Sequence, residues 1–375
     1  MRNKKITASI FLCIALICAF ISGKSYLAMH EEEIIVEGSG VTEQKMLSDY
    51  FPKLKGTNGD TKIYVLHGKK PGGSMLVLGG THPNEPSGFM SAVMLVENAE
   101  LDAGTLYVIP RANNSAFTHN DPQEGSPQYF TIKTPDGDRK FRYGSRATNP
   151  IDQWPDPDVY IHAASGQKLS GSETRNLNRG YPGRVDGTLT EQVCYGITEL
   201  IKKENVDIAI DLHEASPEYP VINAMVAHER AMGIASQAAI NLQLEGIQIS
   251  LEPSPTNLRG LTHREWGDYT DTIAILMETA NAAQGRLRGR TDEDLVLTGK
   301  DKSYVKAAKL GRLFVPFDED GHPLEERVGR HLTSINELAK AYSSQFDDRP
   351  IVIGGMPVFN ELQENGLGNY LSPLK

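Results

Sequence analysis

The sequence predicts an α/β protein, a sheet with helices packed on it, on three observations. Short apolar runs alternate with stretches whose apolar residues recur at helical spacing. The order strand, helix, strand is that of an α/β sheet. Composition is that of a soluble globular chain, 39% hydrophobic and 23% charged, so 375 residues can bury a large core.

In chain order, Lys62 to His67 and Met75 to Gly80 are expected as strands, Pro86 to Ala99 as an amphipathic helix and Thr105 to Ile109 as the next strand. Later strands are expected at Asp207 to Leu212, Val221 to Val226 and Thr272 to Met277, with helices at Thr190 to Glu204 and Ala231 to Leu242. The pattern from Pro323 to Phe346 predicts a helix packed on the sheet. Phe117 to Ser172 is rich in Pro, Gly, Asp and aromatic residues without periodicity, and reads as an insertion over one face; long ordered insertions are often functional. No boundary splits off a second domain, so residues 46–347 are expected to form one domain containing the 117–172 insertion. Residues 348–375 follow as an irregular tail.

The chain starts differently. Arg2, Lys4 and Lys5 precede an almost wholly apolar run from Ile6 to Ile21, an export pattern. Residues 1–23 are either a signal peptide or a retained membrane anchor, since the run is short of the about 20 residues a span needs and no clean cleavage motif follows. Either places the domain outside the cytoplasm, periplasmic or extracellular. Residues 24–45, polar and acidic with Glu31, Glu32 and Glu33 in a row, suit a linker. Cys13 and Cys18 lie in the apolar run, which leaves Cys194 alone in the body and allows no internal disulfide there. Losing the first 23 residues removes three positive charges and takes the net charge from −10 to −13. An acidic body excludes a nucleic-acid partner, and an anionic substrate must be drawn in by a local group of arginines.

Four segments carry chemistry. Gly79-Gly80-Thr81-His82-Pro83-Asn84-Glu85-Pro86 sits where a strand ends and a helix begins, the place where ligands collect in open α/β sheets. An imidazole and a carboxylate three residues apart on a sharp turn can point at one metal ion such as zinc, although His-x-x-Glu alone is common on solvated helix faces. Asp207-Ile-Ala-Ile-Asp211-Leu212-His213-Glu214 is a strand ending in another histidine, a third ligand by position; alone it reads better as a structural histidine. Asp211 and His213 share a strand face, so Asp211 can orient the ring. Ile273 to Met277 is a strand with Glu278 at its exit, where a carboxylate can take a proton from a metal-activated water or simply cap a turn. Arg175-Asn176-Leu177-Asn178-Arg179 groups arginines and amides; Arg179 and Asn178 can bind a carboxylate, or the group is a surface salt-bridge patch.

Taken in this order, His-x-x-Glu, Asn-Arg, Leu-His and a strand-terminal Glu, the segments resemble the zinc carboxypeptidase superfamily, and within it the succinylglutamate desuccinylase and aspartoacylase branch. The resemblance runs from about Met75 to Asn281, and the insertion has no counterpart in it. It implies a mixed, twisted sheet flanked by helices and one Zn2+ per chain on His82, Glu85 and His213. It further implies a substrate carboxylate near Asn178 and Arg179 and a general base at Glu278. An arginine that holds the oxyanion is also implied, with Arg175 and Arg146 as candidates. A residue closing over the substrate is sought among His263, Arg264 and Tyr269, expected on a loop before the Glu278 strand. Two substrates compete: an N-acyl amino acid, favoured by the branch, and a peptide or peptidoglycan stem, favoured by export. A binding protein that keeps the fold without cleaving is the rival from another class. No Gly-x-Ser-x-Gly or His-Glu-x-x-His occurs.

Overall fold

The computed structural model describes residues 2–121 and 124–374; residues 122 and 123 of the expected insertion lie outside the described residues, as do 1 and 375. In chain order the strands are β1 Glu43–Met46, β2 Lys62–His67, β3 Lys70–Leu78, β4 Glu100–Ile109, β5 Tyr129–Thr134, β6 Gly137–Arg142, β7 Val159–Ile161, β8 Lys168–Ser170, β9 Ile208–Ala215, β10 Ala224–Ala227, β11 Ser250–Pro253, β12 Ile273–Ala280 and β13 Val352–Gly354. The helices are α1 Arg2–Ala28, α2 Pro86–Asn98, α3 Leu189–Lys203, α4 Met232–Leu244, α5 Thr262–Tyr269, α6 Glu293–Thr298, α7 Lys302–Lys309, α8 Leu324–Gln345 and α9 Phe359–Asn365.

The sheet is mixed, in the order β1-β2-β4-β3-β9-β12-β10-β11, with β13 on β4. Its centre, β4-β3-β9-β12, is parallel, and the strands outside it include antiparallel neighbours. Because alternate residues of a strand face opposite sides, two cores form. Leu66, Val77, Val108, Ile210 and Met277 pack against α2, α4 and α8. Val65, Leu76, Tyr107, Ala209 and Ala274 pack against α3 and α5. This parity decides the site: Ile208, Ile210 and Leu212 face the α2 layer, so Asp211 and His213 face the α5 layer. Met277 faces α2 and therefore Glu278 faces α5 as well.

The chain leaves β3 to form β4 on one side and later forms β9 on the other side of β3. A strand whose two neighbours are reached in opposite directions leaves a crevice at its carboxyl end. Gly88, in the first turns of α2, lets that helix lie on the backbone of β9, since a Cβ there would collide with the Leu212 carbonyl.

Several elements differ from expectation. The tail is structured: β13 joins the sheet, α9 follows, and Leu362, Leu367 and Leu371 are buried. The expected linker is docked. Glu33 is buried against the Arg111 guanidinium and accepts the Arg142 backbone N–H at 2.6 Å, and β1 pairs with β2. The insertion contains two hairpins, β5/β6 and β7/β8. The segment carrying His263, Arg264 and Tyr269 is the helix α5, not a loop. α1 runs beyond the expected 23 residues and is exposed along its length from Lys4 to Lys24. Its span Lys4–Ala28, which contains an 18-residue window of mean hydropathy 2.4, is long and apolar enough to cross a membrane.

Candidate metal and hydrolase site

The turn after β3 is sharp because Gly80 takes a positive φ of 65° and lies against the Phe117 ring, where a side chain would not fit. Pro86 at the first position of α2 then starts the helix directly after Glu85. Between these two, His82 and Glu85 turn back into the crevice, both only 2% exposed. His213 arrives from the end of β9, and the ligand atoms of the three residues lie within 4.8 Å of one another. His82 Nδ1 is 2.9 Å from Glu85 Oε1. His213 Nδ1 is 3.0 Å from Glu85 Oε2 and 3.2 Å from His82 Nδ1.

Hydrogen bonds on the far side of each ring decide which nitrogen faces the centre. His213 donates from Nε2 to Asp211 Oδ2 at 2.7 Å, as its strand-face position predicts. Asp211 is itself held by the hydroxyls of Thr81 (2.7 Å) and Thr262 (2.9 Å). His82 donates from Nε2 to Asn176 Oδ1 at 2.9 Å. The orientation of that amide follows from its other bonds, since Oδ1 also accepts the Asn178 N–H and Nδ2 donates to Glu173. His82 Nδ1 therefore carries a lone pair, and it faces a carboxylate oxygen at 2.9 Å with no proton of its own to place between them. A cation resolves that arrangement. The 2.9–3.2 Å spacings are close to the about 3.3 Å edge of a tetrahedron with zinc bonds of about 2.0–2.1 Å. Two imidazoles and a carboxylate, both rings backed by acceptors, are a donor set suited to zinc with a position left open.

The charges of the three side chains act on one another. Burial alone would lower His213, but the Asp211 and Glu85 carboxylates raise it well above the usual histidine range. Burial would raise Glu85, and His82 and His213 hold it well below its ordinary value. His82 is lowered by burial and then by Arg146.

Glu278 lies beside His213 in the parallel register of β12 and β9. It is half-buried, and its Oε2 has no hydrogen-bond partner among the described residues. Burial, with Glu85 adding, pushes its carboxyl up to about 8 against the lowering pull of His213. An unpartnered carboxylate oxygen beside His213 is free to accept a hydrogen bond from a water.

The arginines separate. Arg146 donates from Nη1 to Glu85 Oε1 at 2.9 Å and approaches His82 Nδ1 at 3.2 Å. Arg175, named beside it from the sequence, points elsewhere: its guanidinium forks onto Asp156 at 2.7 and 2.9 Å and reaches the Thr148 carbonyl. Arg179 is lowered by burial, then by the charge of Arg146, with Glu278 also within its field. Its Nε is 3.7 Å from Glu173 and its Nη1 donates to the Asn178 carbonyl. Asn178 Oδ1 accepts the Thr262 N–H, joining the 176–179 segment to the start of α5. His263 is buried with Nδ1 2.7 Å from Ser254 Oγ, and burial followed by the charge of His213 pushes it down to about 3. Arg264 is bound to Glu229 and Asp268, and Tyr269 ends α5, 43% exposed.

Asn176, Thr81 and Thr262 were not singled out from the sequence. Thr81 and Asn176 sit inside the segments that were, but their role lies in contacts 94 to 130 residues away along the chain, which spacing does not reveal.

No family model matches this sequence, and no curated protein matches it. Among solved structures the chain is similar to desuccinylase/aspartoacylase structures and carboxypeptidase-like proteins. A succinylglutamate desuccinylase from Silicibacter is 15% identical, with 60% of this chain and 55% of that one covered and a TM-score of 0.35. The product-bound ectoine utilization protein EutE from Ruegeria pomeroyi is 18% identical, with 60% and 55% covered and a TM-score of 0.37. The tripeptide-bound cell shape determinant Csd4 from Helicobacter pylori is 12% identical, with 82% and 59% covered and a TM-score of 0.47. The chain spans between half and three fifths of the length of these three.

Proposed function

We infer that the chain is an exported amide hydrolase that holds one zinc ion on His82, Glu85 and His213 and uses Glu278 as its general base. The observation that carries this reading is the His82 lone pair facing the Glu85 carboxylate at 2.9 Å, with Glu278, whose Oε2 has no partner among the described residues, beside His213 in the register of β12 and β9. Zinc held there supplies Lewis acidity toward a carbonyl oxygen and brings the pKa of a water to about 7.

Glu278 takes the proton of the attacking water as the new C–O bond forms, and returns it to the nitrogen as the C–N bond breaks, leaving a carboxylate and an amine. Arg146 suits the oxyanion, because its guanidinium already reaches the ligand atoms from the open side. Arg175 does not, because Asp156 occupies it. Asn178 and Arg179 hold a carboxylate on the substrate, and neutral, buried His263 adds to that wall. Tyr160, within the 117–172 insertion, donates to the Arg179 carbonyl, so the insertion bears on the substrate side.

The substrate is an amide carrying a free carboxylate, an N-acyl amino acid. A peptide or peptidoglycan stem is the second reading, favoured by the membrane-length helix α1, since such substrates lie outside the cytoplasm. Zinc content of the detergent-purified chain, wild type beside His82→Ala, is the deciding measurement. Near one zinc per chain, lost in the variant, is expected. Glu278→Gln is expected to keep zinc and lose about 10²- to 10⁴-fold in rate on acyl-amino acids or short peptides. A near-normal rate in that variant overturns the role of Glu278, and absence of zinc from a zinc-supplied wild type overturns the whole reading.

A further inference from the structure

The most apolar window of α1 buries nothing against the body, and bare apolar surface on that scale marks a contact with a partner or a membrane. The last turn of the helix, by contrast, is built into the body. Ser25 donates to Gln128 at 3.0 Å, Tyr129 donates to the Ala28 carbonyl at 2.8 Å, and Met29 is buried. The chain is then pinned along β6: Glu33 accepts the Arg142 N–H at 2.6 Å, and the Ile34 carbonyl accepts from Arg139 at 2.7 Å. Arg139 also donates to the Ser372 carbonyl, which brings the tail to the same place. Flanking these contacts are the apolar side chains of Tyr26, Leu27, Ile34 and Leu374, 46–72% exposed, and Lys140, whose ammonium lies 3.9 Å from the centre of the Tyr129 ring.

We propose that α1 is kept as a membrane anchor and that the base of the β5/β6 hairpin, with Ile34 and Leu374, rests in the headgroup layer of the bilayer that α1 crosses. The apolar run from Ile6 to Ile21 is centred between Cys13 and Ile14. At about 1.5 Å per residue, a hydrocarbon half-thickness of about 15 Å ends near Lys24. About four more residues cross the headgroups and end at Ala28, the residue on which Tyr129 closes. Tyrosine and lysine suit this depth, because each joins an apolar body to a polar tip. Bonds at residues 25, 28, 33 and 34 leave no slack by which the body could stand off the bilayer. α1 also runs unbroken past Gly23 into the docked turn, and regular helix is a poor site for proteolysis, which favours exposed loops. Arg142, paired with Tyr129 across the hairpin, is four residues from Arg146, whose guanidinium reaches Glu85. Four residues span at most about 14 Å, so the crevice is held close to the membrane surface.

The test is quenching of tryptophan fluorescence by brominated lipid, in the full-length chain reconstituted in phosphatidylcholine vesicles. The wild type, with Trp154 and Trp266, sets the background. Tyr26→Trp, Ile34→Trp and Leu374→Trp each replace an exposed side chain, so all three are expected to fold. Lipid brominated at the headgroup end of its chains is expected to quench the added tryptophan in all three, with Ile34→Trp losing as large a share of its emission as Tyr26→Trp. Absence of added quenching at either body position, Ile34 or Leu374, overturns the proposal and leaves the body standing off the bilayer. A membrane-extracted chain whose mass lacks α1 overturns it as well. Zinc plays no part in these readouts, so the hydrolase reading and the membrane contact fail separately.

Discussion

His82 is oriented by an amide and His213 by a carboxylate, and the two should respond differently to mutation. Asn176 carries three bonds at once: it accepts from His82 and from the Asn178 N–H and donates to Glu173. It therefore ties His82 to the segment that carries Asn178 and Arg179. Asn176→Ala is expected to lower zinc affinity about 10- to 100-fold, the usual effect of losing an outer partner of a ligand histidine, in chelator competition. A second residue sets acid sensitivity. His331 on α8 is fully buried, its Nδ1 unpaired and its Nε2 3.5 Å from Thr279 Oγ1. Burial, then the charge of His213, pushes it down to about 3 from 6.5. Between those values the unfolded chain takes the proton and the native chain refuses it. The stability due to neutral His331 is therefore complete above about pH 6.5 and is lost as pH falls toward 3. Glu278, raised to about 8, works in the opposite sense, so the difference between wild type and His331→Gln isolates the histidine. Denaturant unfolding between pH 6 and 4 is expected to show a slope about 1.4 kcal/mol per pH unit shallower in the variant; equal slopes would refute it.

At the scale of elements, the ends of the chain are tied to the core by a buried pair. Glu97 at the end of α2 and Arg139 on β6 face each other at 2.9 and 3.1 Å. Arg139 also donates to the carbonyls of Ile34 and Ser372, and Glu97 accepts the backbone N–H of Val36 and of Ser372. One ion pair thus holds the segment after α1, the β5/β6 hairpin and the tail. Arg139→Met leaves a buried carboxylate and two carbonyls without their cation. The expected loss is about 3–5 kcal/mol in chemical denaturation, the range for removing one partner of a buried pair. A loss under about 1 kcal/mol would mean that the clasp only decorates ends held by apolar packing.

For the whole molecule, the sheet order sets where chemistry can happen. β3 is flanked by β4 and β9, and the carboxyl ends of β3, β9 and β12 bring His82, His213 and Glu278 together. Pleat parity turns Asp211, His213 and Glu278 toward α5, away from the α2, α4 and α8 core. α1 stands outside this body, meeting it at its last turns, where Ser25 donates to Gln128 and Tyr129 donates to the Ala28 carbonyl.

The sequence by itself determined whatever depends on short covalent separation. The turn holding His82 and Glu85, the shared face of Asp211 and His213 and the acid at the exit of β12 are all set within a few residues. So are most strands and helices, because period two and period 3.6 are local signals. α5 escaped because Thr262–Tyr269 has no apolar stripe; its buried charges are satisfied by partners such as Glu229 and Arg259, outside the helix. The tail escaped because three buried leucines, Leu362, Leu367 and Leu371, are too few to form a period. Only the tertiary structure decided that Arg146 and not Arg175 meets the ligands, and that Asn176 orients His82. Those pairings close over 61 to 94 residues, and a separation of that length says nothing about contact until strand order and loop paths have brought the partners together.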